Sequence, residues 1–132
     1  MQNDRQDEQA ILKTIHDFLD GIQTRDREAM LRQVLPDGGA TLLRNGEPLH
    51  MSMSGVIERI EFDAAIVMIE SIHDHTILID SDIAMAWTPY EFFMNGVLHH
   101  LGTNIFTLLR RNGRWLISGV ADYSRPPHDV PQ

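Results

Sequence analysis

The chain has 132 residues, of which 42% are hydrophobic, and its 11 basic and 19 acidic side chains give a formal net charge of −8. This length predicts a single domain over residues 1–125, followed by a loose tail over residues 126–132. The acidic balance excludes nucleic-acid binding through a broad basic face. The lack of cysteine excludes disulfides, thiol nucleophiles and thiolate zinc sites. No segment has the pattern of a signal peptide or a membrane span, so we expect a cytoplasmic protein without membrane contact.

Two helices are predicted at the start of the chain. Apolar residues recur at steps of one, three and four from Ile11 to Ile22, which places them on one helical face. A second, shorter helix is expected to begin at a capping Asp26 and to reach Leu35. The PDGG sequence at residues 36–39 then stops that helix.

The remainder of the chain predicts antiparallel strands joined by tight turns. Asn-Gly, the pair that suits a two-residue hairpin turn, occurs at residues 45–46, 95–96 and 112–113. A short helical turn capped by Ser54 is expected near residues 55–60, and Gly102 and Gly119 mark bulges or bends in long strands. The predicted strands lie near residues 40–44, 48–53, 65–79, 82–94, 97–111 and 114–124.

The Asn-Gly turns also predict which strand residues oppose one another. A two-residue turn at residues 95–96 pairs Met94 with Val97, and counting back from that pair places Trp87 opposite Asn104. Because opposed residues share a sheet face, Trp87 and Asn104 are expected to face the helices together.

The last turn predicts the same kind of pairing between the final two strands. It pairs Arg111 with Arg114, so that Asn104 falls opposite Ala121. In this register Asp122 faces away from the helices, whereas a bulge at Gly119 turns it inward. In the register without a bulge, the face directed at the helices collects Met85, Trp87, Glu91, His100, Asn104, Phe106, Leu108, Trp115, Ile117 and Tyr123.

Four segments of the second half carry a resemblance to a known superfamily. They are IAMAWTPYEF at residues 83–92, HLGTNIF at 100–106, GRWLI at 113–117 and ADYSR at 121–125. Together they resemble the nuclear transport factor 2-like superfamily, in particular its SnoaL-like and lumazine-binding-like members. The resemblance implies an α+β, cone-shaped fold of cystatin-like type. In that fold, two or three N-terminal helices pack on a strongly curved, mainly antiparallel sheet and enclose a pocket.

The resemblance leaves the activity open, because the superfamily includes isomerases, dehydratases, cyclases, epoxide hydrolases and non-catalytic adaptors. Steroid isomerase-like members use a carboxylate base on an early strand, and residues 40–44 carry none. Limonene epoxide hydrolase-like members need an arginine between two aspartates, and we expect no buried arginine at a matching strand position. Scytalone dehydratase-like members use histidine, tyrosine and aspartate, types that His100, Tyr90 and Asp122 supply.

The candidate site follows from these positions. Trp87, Tyr90, His100 and Asn104 are the predicted ligand-binding residues, because an apolar wall with a few polar groups suits a small molecule. His100 and Asp122 are the candidate catalytic residues, with His100 as the proton-transfer group, since imidazole changes charge near neutral pH. The alternative is a structural His100 bonded to the backbone or to Glu91, its predicted cross-strand partner.

No metal or cofactor is expected. The HDH sequence at residues 73–75 has the spacing of two metal ligands on one strand face, but no further ligand follows it. The chain also lacks a phosphate-binding glycine loop and a nucleotide fingerprint.

Two functions are therefore open. One is a pocket protein for an unidentified small hydrophobic or aromatic ligand. This interpretation includes an acid–base enzyme of isomerase, dehydratase or cyclase type. The other is a non-catalytic binding or dimerisation module with a closed or vestigial pocket. In either case we expect a homodimer formed through the outer sheet face that contains Thr103, Ile105 and Thr107.

Overall fold

The computed structural model describes residues 4–127, so the predicted tail lies outside the described residues from position 128 onward. Within that range the chain forms three helices and a sheet of seven strands. The helices are α1 (Asp4–Thr24), α2 (Arg27–Leu31) and α3 (Met53–Arg59). The strands are β1 (Val34–Arg44), β2 (Glu47–Ser52), β3 (Met68–Ile72), β4 (Thr76–Asp80), β5 (Ile83–Met94), β6 (Val97–Arg111) and β7 (Arg114–Arg125).

The helices pack on one face of the sheet through the apolar stripe that the sequence predicts. Ile11 and Ile15 of α1 are completely buried, and the stripe continues through Phe18 to Ile22. Phe18 meets Phe106 of β6 edge to face, with ring centroids 6.2 Å apart. None of the helices within residues 4–127 has the length and hydropathy that crossing a membrane requires.

The second helix is shorter than predicted. Asp26 caps it as expected, accepting a hydrogen bond from the amide of Ala29 at 3.0 Å. The helix ends at Leu31, however, and β1 already begins at Val34, which pairs in parallel with Ile117 of β7. The prediction that this helix reaches Leu35 is wrong, because a buried β-branched valine gains a strand partner there.

Two further boundaries differ from the prediction. The expected strand over residues 65–79 is two strands that run in the same direction, because pairing is interrupted at residues 73–75, where Asp74 has a positive φ of 47°. β3 and β4 then pair with different halves of β5. The cap of α3 is Ser52, which accepts from the amide of Gly55 at 3.0 Å, so the predicted cap at Ser54 is wrong by two residues.

The sheet is curved and mainly antiparallel, in the order β2-β1-β7-β6-β5-β3, with β4 also paired to β5. Only the contact of β1 with β7 is parallel among the described pairs. Two or three helices on a curved, mainly antiparallel sheet is the predicted α+β architecture, and the structure confirms it.

A bulge in β6 changes the predicted facing of β5. The Asn-Gly turn does pair Met94 with Val97, as predicted, and Phe93 with Leu98. His99 is then an extra residue, since the next pair joins Phe92 to His100. Beyond the bulge the alternation of β5 is reversed relative to the prediction.

The predicted pairing of Trp87 with Asn104 is therefore wrong. Trp87 pairs with Ile105 on the outer face and is 45% exposed, whereas Thr88 pairs with Asn104 on the inner face. Ile105 lies with its neighbours Thr103 and Thr107 on the outer face, as the sequence predicted for β6.

A second bulge acts on β7. Arg111 pairs with Arg114 as predicted, but Ser118 is an extra residue between the pairs that Thr107 and Leu108 form. Asn104 is consequently opposite Asp122, not Ala121. The bulge lies beside Gly119 and turns Asp122 inward, which is the alternative that the mid-strand glycine indicated.

Gly102 allows β6 and β7 to approach each other beside the inward-facing Asp122. We therefore predict that a methyl group added at position 102 destabilises the fold. A Cβ at Gly102 would collide with the carbonyl oxygen of Tyr123, which belongs to the backbone and cannot rotate away. Gly102→Ala should lower the free energy of unfolding by about 1–3 kcal/mol. Gly39→Ala, where a Cβ meets nothing within 4 Å, should change it by less than about 0.5 kcal/mol. Urea unfolding of both variants makes the comparison, and equal losses would contradict the close approach.

Candidate functional site

A cavity of about 220 Å³ lies between the helices and the inner face of the sheet. Its helical side is entirely apolar and consists of Phe18, Leu19, Ile22, Met30, Val56 and Ile60, the last at the C-cap of α3. The polar side chains that line it come from the strands and are Arg44, Glu70, His100, Asn104 and Asp122. A molecule in this cavity would therefore meet an apolar wall on one side and polar groups on the other.

An ion pair joins two strands at the polar wall. Arg44, the last residue of β1, donates from Nη2 to Oδ2 of Asp122 on β7 at 2.8 Å. The side chain of Asp122 is 15% exposed and that of Arg44 is 40% exposed. The sequence predicted no buried arginine at such a strand position, and Arg44, although it is not buried, lines the cavity. Alternation along β1 from the buried Ala40 through Leu42 was the signal that places Arg44 on this face.

Tyr90 completes the contacts of Asp122. Its hydroxyl donates to Oδ1 of Asp122 at 2.8 Å, and the residue is 2% exposed. Tyr90 is opposite Gly102 in the register of β5 and β6. Burial and then the negative charges of Asp122 and Glu70 raise the pKa of Tyr90, so the phenol is a neutral hydrogen-bond donor at physiological pH.

Glu70 is the second carboxyl group of the cavity. It accepts a hydrogen bond from Nδ2 of Asn104 at 2.8 Å. Burial, followed by the charge of Asp122, raises the pKa of Glu70 to about 8, against the smaller opposing effects of Asn104 and Arg44. Glu70 therefore carries its proton at neutral pH. The sequence reasoning missed this residue, although alternation from the apolar Met68 was available as a signal.

His100 lines the cavity, but in other surroundings than predicted. Its ring stacks on Phe92, with centroids 4.6 Å apart, and its Nδ1 lies 2.9 Å from Nδ1 of His99. The predicted partner Glu91 is opposite Leu101, one residue along, because of the bulge. Burial and the neighbouring His99 lower the pKa of His100, so its imidazole is neutral at pH 7.

The structure thus brings four of the predicted site residues together, and it leaves Trp87 out. His100, Asn104 and Asp122 line the cavity, and Tyr90 contacts it through its hydrogen bond to Asp122. Trp87 lines a separate groove on the outer face together with Tyr123, so its predicted place at the pocket is wrong. The β6 bulge is the reason.

The histidines of the HDH sequence lie outside this site. His73 contacts Asp74 at 3.4 Å, and His75 contacts Glu8 of α1 at 3.6 Å. Among residues 4–127, no group of three or more histidine, aspartate or glutamate side chains is placed to hold a metal ion.

The chemical character of the site lies in its two unlike carboxyl groups. Asp122 forms an ion pair with a cation and accepts a hydrogen bond from a phenol. Glu70 has a neutral amide as its hydrogen-bond partner and retains its proton. One site therefore holds a carboxylate that accepts protons and a carboxylic acid that donates them.

The architecture of helices packed on a curved sheet is shared with solved structures of nuclear transport factor 2-like and cystatin-like fold. An NTF2-like protein of unknown function from Shewanella baltica superposes with a TM-score of 0.76 at 16% identity, over 96% of this chain and 99% of that one. A conserved protein from Planctomyces limnophilus gives a TM-score of 0.76 at 18% identity, over 92% and 98% of the two chains. A protein with a cystatin-like fold from Nostoc punctiforme gives 0.73 at 11% identity, over 95% and 96%.

The family described as "Putative lumazine-binding" matches residues 6–120. The chain belongs to this family, and the predicted resemblance is confirmed. No curated protein matches the chain.

The raised pKa of Glu70 predicts how stability depends on pH. Between about pH 4.5, the ordinary pKa, and about pH 8, the unfolded chain loses this proton while the folded chain keeps it. Across that window Glu70 lowers the free energy of unfolding by up to about 1.4 kcal/mol per pH unit, and the loss levels off above it. Glu70→Gln should therefore gain stability over the wild type as the pH rises from about 4.5 to about 8.

Urea unfolding at several pH values within this window measures the difference. Glu61→Gln, at an exposed position, is the matched control and should follow the wild type at each pH. A stability difference between Glu70→Gln and the wild type that stays constant over the whole window would contradict the raised pKa.

Proposed function

We propose that this chain binds a compact, largely apolar ring compound in the interior cavity and catalyses proton transfer on it with its own carboxyl groups. The observation that carries the proposal is the pairing of Asp122 with Arg44 and Tyr90 beside a Glu70 that lacks such partners. Carboxyl groups in unlike environments take the separate roles of acid and base. The family description adds a small ring compound as the kind of ligand.

The size and lining of the cavity support a single ring. Its volume of about 220 Å³ is below the roughly 300 Å³ at which ligand pockets usually begin. A cavity of roughly 150 Å³ accepts benzene, so by proportion about nine heavy atoms fit here. Lumazine, a bicyclic compound, is larger than this, and we therefore favour a smaller ring as the ligand.

Each polar residue has a role in this proposal. Asp122 is the base, held in one orientation by Arg44 and by the hydroxyl of Tyr90. Glu70 is the acid, and Asn104 orients its carboxyl group. In a loss of water, for example, Asp122 removes a proton from carbon and Glu70 protonates the departing hydroxyl, so that water leaves and a double bond forms.

His100 belongs to the wall of the cavity in this mechanism. Its stacking on Phe92 and its contact with His99 support a positioning role for the imidazole. The catalytic role predicted for it passes to Glu70, whereas the role predicted for Asp122 is retained in the proposal.

The proposal is tested with a panel of single-ring β-hydroxy ketones, following the absorbance of the conjugated product. Asp122→Asn and Glu70→Gln should each lower the rate by roughly 10²–10⁴-fold, because each removes one partner of the proton transfer. Asp80→Asn, an exposed carboxylate on β4, is the control and should retain the full rate. Turnover that survives both substitutions would contradict the assigned roles. Ring binding without turnover by the wild type would favour the non-catalytic binding module.

We also propose that two copies of the chain associate through the outer sheet face. A groove there is lined by Leu43, Trp87, Ile105 and Tyr123, of which Trp87 and Tyr123 are 45% and 41% exposed. Aromatic side chains of this kind are enriched at the centres of interfaces. The groove is nearly free of charge although the chain carries −8, since Asp122 points its carboxylate inward and only Arg125 remains at the edge. A second copy offers the same surface, which suits a two-fold contact.

Sedimentation in dilute solution tests this association. The wild type should sediment as a species of about 30 kDa, twice the 15.1 kDa of one chain. Ile105→Asp should give a monomer, because it places a charge at the centre of the contact. Val97→Asp, at the exposed start of the same strand, is the control and should remain dimeric. A wild-type monomer would remove the proposal.

A further inference from the structure

The cavity has fewer cations than carboxyl groups, and this restricts the ligand. The charged and titratable groups that face Glu70 are Arg44 from β1, Tyr90 from β5, His100 from β6 and Asp122 from β7. The helices contribute only apolar side chains to the same cavity. One permanent cation therefore faces two carboxyl groups.

The single cation, Arg44, is already paired with one of the two carboxyl groups. Arg44 forms its ion pair with Asp122 at 2.8 Å, and among residues 4–127 no cation lies within ion-pair distance of Glu70. A carboxylate inside a protein without a cation is strongly disfavoured, and a second carboxylate nearby adds repulsion. Keeping a proton on Glu70 removes both costs, which agrees with its pKa of about 8.

The carboxyl group of Glu70 is also oriented. Asn104 donates to Oε2, and the backbone oxygen of Asn104 in turn accepts from the hydroxyl of Thr88 at 2.9 Å. Thr88 is fully buried and Asn104 is 6% exposed, so this support is held by packing. In the part of the chain that the structure describes, only Oε2 has a hydrogen-bond partner, which leaves Oε1 for a molecule in the cavity.

We propose that the ligand is an uncharged ring compound with an oxygen that accepts hydrogen bonds. The carboxyl group of Glu70 recognises this oxygen by donating a hydrogen bond to it. This inference rests on the proposed function and specifies its ligand. A ring carboxylate would meet Asp122 without a free cation, since Arg44 is already paired. A ring ammonium would meet a neutral Glu70 and an Asp122 that is already compensated. A ring without an oxygen would leave the acid without an acceptor.

Four probes with the same ring test the inference: cyclohexanone, methylcyclohexane, cyclohexylammonium and cyclohexanecarboxylate. Binding is followed by two-dimensional amide NMR at about pH 6.5 and about pH 9.5, on either side of the Glu70 pKa of about 8. At the lower pH cyclohexanone should bind at least ~10-fold more tightly than each of the other three. At the higher pH it should lose about ten-fold in affinity, because Glu70 has become an anion, whereas cyclohexylammonium should gain affinity.

The Glu70→Gln variant tests whether ionisation of Glu70 itself causes the pH dependence of binding. Glutamine keeps a donor and cannot ionise, so cyclohexanone should bind this variant with similar affinity at both pH values. Glu61→Gln, an exposed position, is the matched control and should keep the pH dependence of the wild type. If the Glu70→Gln variant does not fold, the pH dependence of cyclohexanone binding by the wild type still tests the inference.

Three outcomes would overturn the inference. They are a preference for a charged probe at the lower pH, equal affinity for cyclohexanone and methylcyclohexane, and a pH dependence that persists in Glu70→Gln. The test of the proposed function is separate from the test of the ligand class. Cyclohexanone binding in the expected pattern without turnover of any β-hydroxy ketone supports the ligand class and contradicts catalysis, whereas a cavity that binds none of the four probes removes both.

Discussion

The carboxylate of Asp122 accepts hydrogen bonds from Arg44 on β1 and from Tyr90 on β5, so three strands meet at one largely buried anion. The side chain of Arg44 is 40% exposed, so solvent screens this ion pair in part, whereas the hydroxyl of Tyr90 binds Asp122 from a buried position. The geometry depends on the absence of a side chain at Gly102, where β7 approaches β6 and where Tyr90 is paired. The acidic group that defines the polar wall is thus also a structural tie between the strands.

The electrostatic state of Glu70 follows from that tie. Because Arg44 is committed to Asp122, Glu70 has only the neutral amide of Asn104, and its proton is what keeps the cavity close to neutral. The apolar helical wall strengthens the effect, since it offers no polar partner to a charged Glu70. An acid and a base are thereby produced from two ordinary carboxyl groups by the arrangement of one arginine.

The sequence predicted the architecture well because its signals are local. The apolar stripe from Ile11 to Ile22, the cap at Asp26 and the three Asn-Gly turns each depend on neighbouring residues alone. The positive φ of each turn asparagine, between 52° and 53°, is the geometry that these pairs favour. The resemblance to the superfamily was carried by four segments of the second half, between residues 83 and 125.

The facing of the strands was harder to predict, because one extra residue reverses a whole strand. The bulge at His99 has no glycine of its own, so Trp87 was placed inside when it lies outside. The bulge at Ser118 is next to Gly119, and there the sequence did indicate that Asp122 turns inward. Glu70 and Arg44 were missed because their roles depend on contacts between residues 34 to 78 positions apart.

The central claim is that Glu70 holds a proton at neutral pH beside an ionised Asp122. The most direct measurement is a carbon NMR titration of the side-chain carboxyl groups, with Glu70 assigned through Glu70→Gln. The account predicts that the Glu70 signal changes near pH 8 and that the midpoint falls in Asp122→Asn, because the neighbouring charge is then gone. A midpoint close to the ordinary value of 4.5, unchanged by Asp122→Asn, would contradict it.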